Sequence, residues 1–491
     1  MEPLRFYWNA PIEISPHNPA VIYMASQYFF KSKDRGDTWW MNPKDLSKNI
    51  DRWAPEMAIM GVSGEKPMAS KHDGYAASST ATQIRESPSK PGVIWIGFED
   101  GNLQVSQDGG ETFTSVYDNI KGNSPKGYTH ISRIEPSHFD PATAYVAIDH
   151  HRYDDWKPYL FKTTDYGKTW TNVTGNLPAK GNINALREDY DNPNLLFVGT
   201  EFGLYVTLDG CKEFKKFMTG LPSVRVDDIL IHPRDRDLII ATHGRSIWIA
   251  DDISALEQMK PGTNVSLFDP RPAVEWKSDL SASRNATNRD FVGKNPQGGT
   301  AFSIWAKEDM GPAKFEVLQG TTVIGTYEHV QQGVLETGTT GEALSIKAGM
   351  NRFQWGMRGA PVVAANAAGG RGRNGGRGGR GGANADAAAG GAAATGEAQP
   401  PATPPATPDT AGAAFPGGGG GGGGRGGRGG QGGVPFVGRG GGGGGGGGGF
   451  GGGAAQGNLV EPGTYMVRLT IAGNTWTTSV NVLEDIWMRP Q

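Results

Sequence analysis

Ser106-Gln107-Asp108-Gly109-Gly110-Glu111-Thr112-Phe113 is one of four segments that share the pattern Ser/Thr-x-Asp-x-Gly-x-Thr-Trp/Phe. The others are Ser32–Trp39, Thr163–Trp170 and Thr207–Phe214, the last with Cys211 at the glycine position and Glu213 at the threonine position. Aspartate and glycine at this spacing suit a tight turn. The carboxylate accepts nearby backbone N–H groups, and glycine permits positive φ. The aromatic then anchors the strand that follows. Asp34, Gly36 and Trp39, Asp108, Gly110 and Phe113, Asp165, Gly167 and Trp170, and Asp209 are therefore read as structural residues of one repeated turn.

A second unit recurs upstream of each box. A Pro/Asp/Asn turn leads into a β-rich run, a polar turn and a second β run. The first runs are Val21–Ala25, Val93–Phe98, Ala144–Ile148, Leu195–Thr200 and, with no box after it, Leu238–Thr242. Short β-branched and aromatic runs between turn signals read as strands. The box aspartates are 74, 57 and 44 residues apart. That spacing is expected of four-stranded propeller blades with variable loops. Five blades are countable, the fifth ending near Asp252.

Residues 1–256 resemble the BNR or Asp-box repeat β-propellers, the glycosyl-hydrolase-like and sortilin-like proteins of bacteria. The four boxes carry the resemblance, with Thr200–Tyr205 and Thr242–Trp248 in support. Such families usually have more blades, so either five blades close the ring or, the reading favoured by the resemblance, the ring is partial and Met1 begins within a longer reading frame. The resemblance also implies export to the periplasm or outside the cell, although no basic-then-apolar signal is visible in Met1–Asn9. In these families the boxes are structural turns away from catalytic sites.

After Asp252 the repeat stops. Residues 257–365 and 459–491 carry further alternating runs, including Thr300–Ala306, Thr321–Tyr327, Ala343–Ile346, Asn351–Trp355 and Gly463–Leu469. These predict a β-sandwich, similar in its Pro462-Gly463-Thr464-Tyr465 start to immunoglobulin-like modules that follow such propellers. Between the two stretches, 366–458 holds 42 of the chain's 76 glycines. It reads as a disordered Gly/Arg/Ala/Pro-rich insert in a sandwich loop. The fold class is thus all-β: a propeller of about five recognisable blades, then a sandwich with a glycine-rich insert.

Charge narrows the partners. The chain is −3 overall; the insert carries seven arginines and three acids, so the remainder is −7. Arginines in RGG-like settings suggest RNA, but only Phe415, Phe436 and Phe450 could stack on bases. A flexible spacer is the simpler reading, and nucleic acid is not an expected partner. No run approaches the ~18 apolar residues of a membrane-spanning helix. Cys211 is alone, so no disulfide and no cysteine metal or redox motif is expected. No cofactor and no metal are indicated, and the oligomeric state is left open.

Strand parity locates the chemistry. In a blade of strands A to D the A–B and C–D turns lie on one face, and the B–C and D–A turns on the other. The boxes follow strand C, so they take the C–D face. The opposite face receives Glu99-Asp100-Gly101-Asn102, the run Asp149 to Asp155, Glu201, and His243-Gly244-Arg245. A glycoside hydrolase needs two carboxylates about 5–10 Å apart. The candidates are Glu99, Asp100, Asp154, Asp155 and Glu201, all of which are also ordinary turn caps. His150, His151, Arg152, Tyr153, His243 and Arg245 are the candidate ligand-binding residues. Adjacent His150 and His151 on an extended chain would point apart, against a shared metal. No sialidase motif frames Arg152, Arg245 and Tyr153, and no phosphate loop, H-E-x-x-H or G-x-S-x-G occurs. The expected function is recognition of a glycan or protein ligand on the B–C face, with a glycoside hydrolase as the alternative.

Overall fold

The computed structural model describes residues 3–51, 54–55, 62–66, 78–122, 124–125, 128–260, 262–276, 298–339, 341–360 and 457–486. The expected insert, apart from Gly457 and Asn458, lies outside them.

Five antiparallel sheets follow one another along the chain. Blade 1 has strands A Ile12–Ile14, B Ile22–Ala25, C Phe29–Ser32 and D Trp40–Met41. Blade 2 has A Ala81–Glu86, B Ile94–Phe98, C Leu103–Ser106 and D Thr114–Ser115. Blade 3 has A His130–Pro136, B Ala144–His150, C Asp155–Thr163 and D Thr171–Asn172. Blade 4 has A Ile183–Glu188, B Leu196–Thr200, C Gly203–Thr207 and D Lys215–Lys216. Blade 5 has A Val226–Ile231, B Leu238–Thr242 and C Ile247–Ala250, a three-stranded sheet. Blades 1 to 4 pair in the order A–B–C–D and blade 5 in the order A–B–C.

The box makes the same bonds in three blades. In blade 1 the Ser32 hydroxyl donates to Asp34 (2.8 Å) and accepts from the Gly36 N–H (2.8 Å). Asp34 then accepts from the backbone N–H and the hydroxyl of Thr38 (2.9 and 2.6 Å). Ser106–Thr112 and Thr163–Thr169 repeat this set. The Thr38 and Ser32 bonds hold the exposed Asp34 carboxyl down at about 2, because hydrogen bonds to the ionised form favour it. Both residues after each aspartate have positive φ: Arg35 and Gly36, Gly109 and Gly110, Tyr166 and Gly167, Gly210 and Cys211. In the fourth box Cys211 takes φ +74 and still donates its N–H to Thr207 (3.1 Å). Glu213 keeps the backbone bond to Asp209 (3.0 Å) but has no hydroxyl to add the second one.

The box aromatic was expected to anchor the strand after it. Its packing partner is instead the preceding blade. Phe113 of blade 2 meets Phe29 of blade 1, ring centroids 5.3 Å apart. Trp170 of blade 3 meets Trp95 of blade 2 at 6.1 Å. Phe214 of blade 4 sits in the core formed with Tyr145 and Leu160 of blade 3. The box glycines lie at the same seams: a Cβ on Gly110 would stand 2.1 Å from Phe29, and one on Gly167 2.9 Å from Val116.

Polar latches join neighbouring blades as well. Glu86 of blade 2 accepts from Ser15 and Tyr23 of blade 1. Glu188 of blade 4 accepts from the Ser137 hydroxyl (3.1 Å) and the His138 N–H (2.7 Å) of blade 3. Arg187 reaches Glu135 at 3.0 Å. Burial pushes the Glu188 carboxyl up to about 7, despite those two bonds.

The later strands form two six-stranded sheets around one core. One sheet runs Val265–Leu267, Thr300–Ala306, Gly349–Trp355, Val334–Glu336, His329–Gln331, Glu342–Ala343. The other runs Ala273–Glu275, Asn474–Glu484, Gly463–Ile471, Gly311–Gln319, Thr322–Tyr327, with Ser345–Ile346 paired beside it. Phe302, Phe315, Trp355 and Tyr465 fill the space between. The run expected as one strand over Ala343–Ile346 is split, because Leu344 turns inward between the two sheets and its N–H bonds Glu328. Three-residue strands such as Ala273–Glu275 were too short to leave a pattern. The chain leaves one sheet after Trp355 and enters the other at Gly463. There Arg358 and Leu459 form a bridge, and Gly359 donates to Asn458 (3.0 Å). The two ends of the expected insert are therefore pinned side by side. Arg352 ties this part to blade 5, donating to the carbonyls of Asp251 and Asp252 (2.7 and 3.2 Å).

Candidate functional site

The B–C and D–A turns carry two groups of titratable side chains. The first gathers at blades 2 and 3. His151–Tyr153 forms one 3-10 turn, closed by Asp154 in the left-handed region (φ +60). That turn sends His150 inward and leaves Tyr153 and Trp156 about a third exposed or more. His150 stacks on Tyr153 with centroids 4.9 Å apart and an interplanar angle of 19°. Its Nδ1 lies 3.7 Å from Asp155. Arg152 donates to the Tyr7 hydroxyl (2.8 Å) and stands 3.9 Å from the fully buried Glu99. Glu99 is also hydrogen-bonded by Tyr128; burial and that acid together raise the Tyr128 hydroxyl well above its ordinary range.

The second group links blades 3, 4 and 5. His151 Nδ1 bonds the Asp149 carboxylate at 2.7 Å to either oxygen. This bond raises the imidazole above its usual value. Burial would raise Asp149, but the His151 ring and N–H outweigh it and its carboxyl lies below the usual range. His130, beside Tyr7 at 5.8 Å, is pushed down to about 4 by burial and is neutral near pH 7. Arg225 bonds Asp227 at 2.6 Å and lies 3.9 Å from Glu201. His243 Nδ1 is 3.1 Å from Asp227 and mostly exposed.

The expected acids divide by environment. Asp100 is buried and accepts the N–H groups of Asn102 (3.0 Å) and Lys48 (2.7 Å). Burial raises its carboxyl, yet its oxygens are taken by backbone. Asp154 accepts from Trp156 Nε1 (3.2 Å). Asp155 accepts the Tyr159 hydroxyl (2.6 Å); burial raises it, but that bond leaves it below the ordinary range. Glu201 stays on the rim with Arg225. Arg245 contributes its carbonyl to Trp248 Nε1 (2.8 Å). Tyr7, Tyr128, His130, Arg225 and Asp227 were not singled out from the sequence. Each precedes or opens an A strand, and the parity rule that put B–C turns on this face puts D–A loops there too.

Among the described residues no group of three or more His, Cys, Asp and Glu is arranged to hold a metal ion. Two cavities of about 460 and 480 Å³ lie on the sandwich, the first lined by Asp269, Thr464, Met466 and Thr478, away from these groups.

Repeated boxes, A–D sheets and box aromatics seated on the preceding blade decide the architecture. The fold is a β-propeller of Asp-box blades followed by a C-terminal β-sandwich. Residues 158–264 match the Sortilin-Vps10 family model, described as sortilin, neurotensin receptor 3. No curated protein matches the chain. Among solved structures the propeller chain is similar to an ancestral GH74 enzyme, at 12% identity over 68% of this chain and 40% of that one, TM-score 0.35. It is similar to the GH74 xyloglucanase from Xanthomonas campestris, at 15% identity over 60% and 42%, TM-score 0.35. It is also similar to YCF48 bound to D1 peptide, at 14% identity over 55% and 74%, TM-score 0.30. The chain spans less than half the length of the two GH74 structures. Among the described residues no helix of the propeller chain is long and apolar enough to cross a membrane.

Proposed function

We propose that residues 1–256 form a binding module whose B–C face takes a glycan. The observation that carries this reading is the pairing of exposed aromatics with fixed polar groups. Tyr153, Trp156 and Phe202 are exposed on that face beside Arg152, His151 and Arg225. Sugar rings present C–H faces that stack on aromatic rings, while their hydroxyls need planar donors and acceptors held in place. The pairs His151–Asp149 and Arg225–Asp227 hold such groups.

Hydrolysis is less well supported. A general acid at neutral pH needs a raised pKa and free access to the leaving oxygen. Asp100, whose carboxyl is raised by burial, spends its oxygens on backbone N–H groups. The sandwich, residues 257–365 and 459–491, serves as a packing module, and 366–458 as its spacer. A face built for extracellular glycan fits an exported protein, which cell fractionation would test.

The binding test is titration of a panel of soluble polysaccharides by calorimetry. Trp156→Ala should weaken binding at least tenfold without changing thermal stability, and Arg152→Ala should weaken it as much. If a polysaccharide is cleaved and Glu201→Gln abolishes that turnover, the hydrolase reading replaces this one. If no glycan binds but a peptide library does, the ligand is a protein.

A further inference from the structure

Each inner seam of the propeller is made by equivalent positions. Strand register makes Ile12 of blade 1 the counterpart of Ile84, Ile134, Leu186 and Ile229 in blades 2 to 5. Those four are 0–2% exposed, because each faces the preceding blade. Ile12 is 65% exposed. The same side of blade 1 carries Trp39, 42% exposed, where the box aromatics of blades 2 and 4 are buried. A Cβ on Gly36 would touch nothing beyond Trp39 at 3.9 Å, in contrast to Gly110 and Gly167.

Blade 5 shows the reverse. Register makes Ile247 and Ile249 the counterparts of Leu204 and Val206 in blade 4, which are 0% and 6% exposed and pack on blade 5. Ile247 and Ile249 are 65% and 59% exposed, with Leu230 at 44% beside them. Blade 1 thus bares the surface that every later blade presents to its predecessor. Blade 5 bares the surface that every earlier blade presents to its successor. Apolar sheet faces of this kind are interaction surfaces rather than ordinary solvent-facing ones.

We propose that a second copy of this chain covers them, with blade 5 of one copy seated on blade 1 of the next. The two surfaces are complementary because the four seams inside the chain are built from the same positions. The contact is head-to-tail, so two different patches meet and association continues until the ring of blades closes. The mode of packing is the one already present between blades, an aromatic and β-branched sheet face on another. This inference is independent of the ligand proposed for the B–C face.

The test is mass by size-exclusion chromatography with light scattering at tens of micromolar, using the full chain. The wild type should run as a dimer or larger closed assembly. Ile12→Lys and Ile249→Lys should each lower the mass towards the monomer, with circular dichroism unchanged, since both residues are exposed. Mixing the two variants should restore a dimer, because one intact blade 5 face then meets one intact blade 1 face. A monomeric wild type overturns the proposal and leaves both faces to blades from another source. An oligomer that Ile249→Lys dissolves and Ile12→Lys does not overturns the head-to-tail arrangement.

Discussion

Gly110→Ala should destabilise the protein far more than Gly36→Ala, although both residues hold the same place in the box. Both have positive φ, +94 and +101, and both donate their N–H to the box serine. The backbone strain of an alanine is therefore similar, ~1–2 kcal/mol, offset by ~0.5 kcal/mol from the less flexible unfolded chain. The surroundings differ. At Gly110 the new Cβ meets Phe29 at 2.1 Å, and Phe29 is fully buried against Tyr23, Trp40 and Phe113. That ring has no free direction to move in, so overpacking adds ~1–3 kcal/mol. At Gly36 the nearest atom is Trp39 at 3.9 Å, an ordinary contact. The expected losses are about 3 kcal/mol for Gly110→Ala and about 1 kcal/mol for Gly36→Ala. Equilibrium urea unfolding followed by tryptophan fluorescence measures both, as a shift of midpoint at constant slope. Two variants that agree within ~0.5 kcal/mol would refute the idea that the box glycine is a seam residue.

Glu188 supplies a pH signature. Its carboxyl is raised from 4.5 to about 7, so this contribution to stability is full below pH 4.5 and is lost as pH rises through 7. Glu188→Gln should flatten the fall in urea midpoint between pH 5 and 8, by up to ~3 kcal/mol over that range; an unchanged slope would count against its burial as an acid. Cys211 is buried and its thiol is pushed up to about 12, so iodoacetamide should label it only after unfolding, as mass spectrometry would reveal. Replacing 362–456 with a short Gly/Ser linker should leave the melting temperature within a few degrees, since Arg358–Leu459 and Gly359–Asn458 hold the ends together. Salt-sensitive retention on an RNA column that this deletion removes would revive nucleic-acid binding through the insert.

Much of this was legible in the residues because it is local. The box declares itself in eight consecutive positions, since its bonds join Ser32, Asp34, Gly36 and Thr38 within one turn. Five blades and the faces of their turns follow from counting strands. The degenerate fourth box was legible too, as Cys211 sits in the same left-handed region as the glycines it replaces.

The pairing of the site residues is not local. Asp149 and His151 lie two apart, yet only the 3-10 turn brings ring and carboxylate to 2.7 Å. Asp100 stands in a polar turn, and folding buries it under the N–H of Lys48, 52 residues away. Arg152 and Tyr7 are 145 residues apart. No spacing rule relates such pairs, because blades around an axis set their distance. The same holds for the terminal faces. An alternating run says that Ile12 is a core-facing residue, and only the packed ring decides whether anything stands in front of it. Sequence determined the repeat, its turns and the side of each strand that is apolar, since these depend on backbone conformation and period. Tertiary structure decided which charges pair and which apolar faces stay bare, since both depend on neighbours that are distant along the chain.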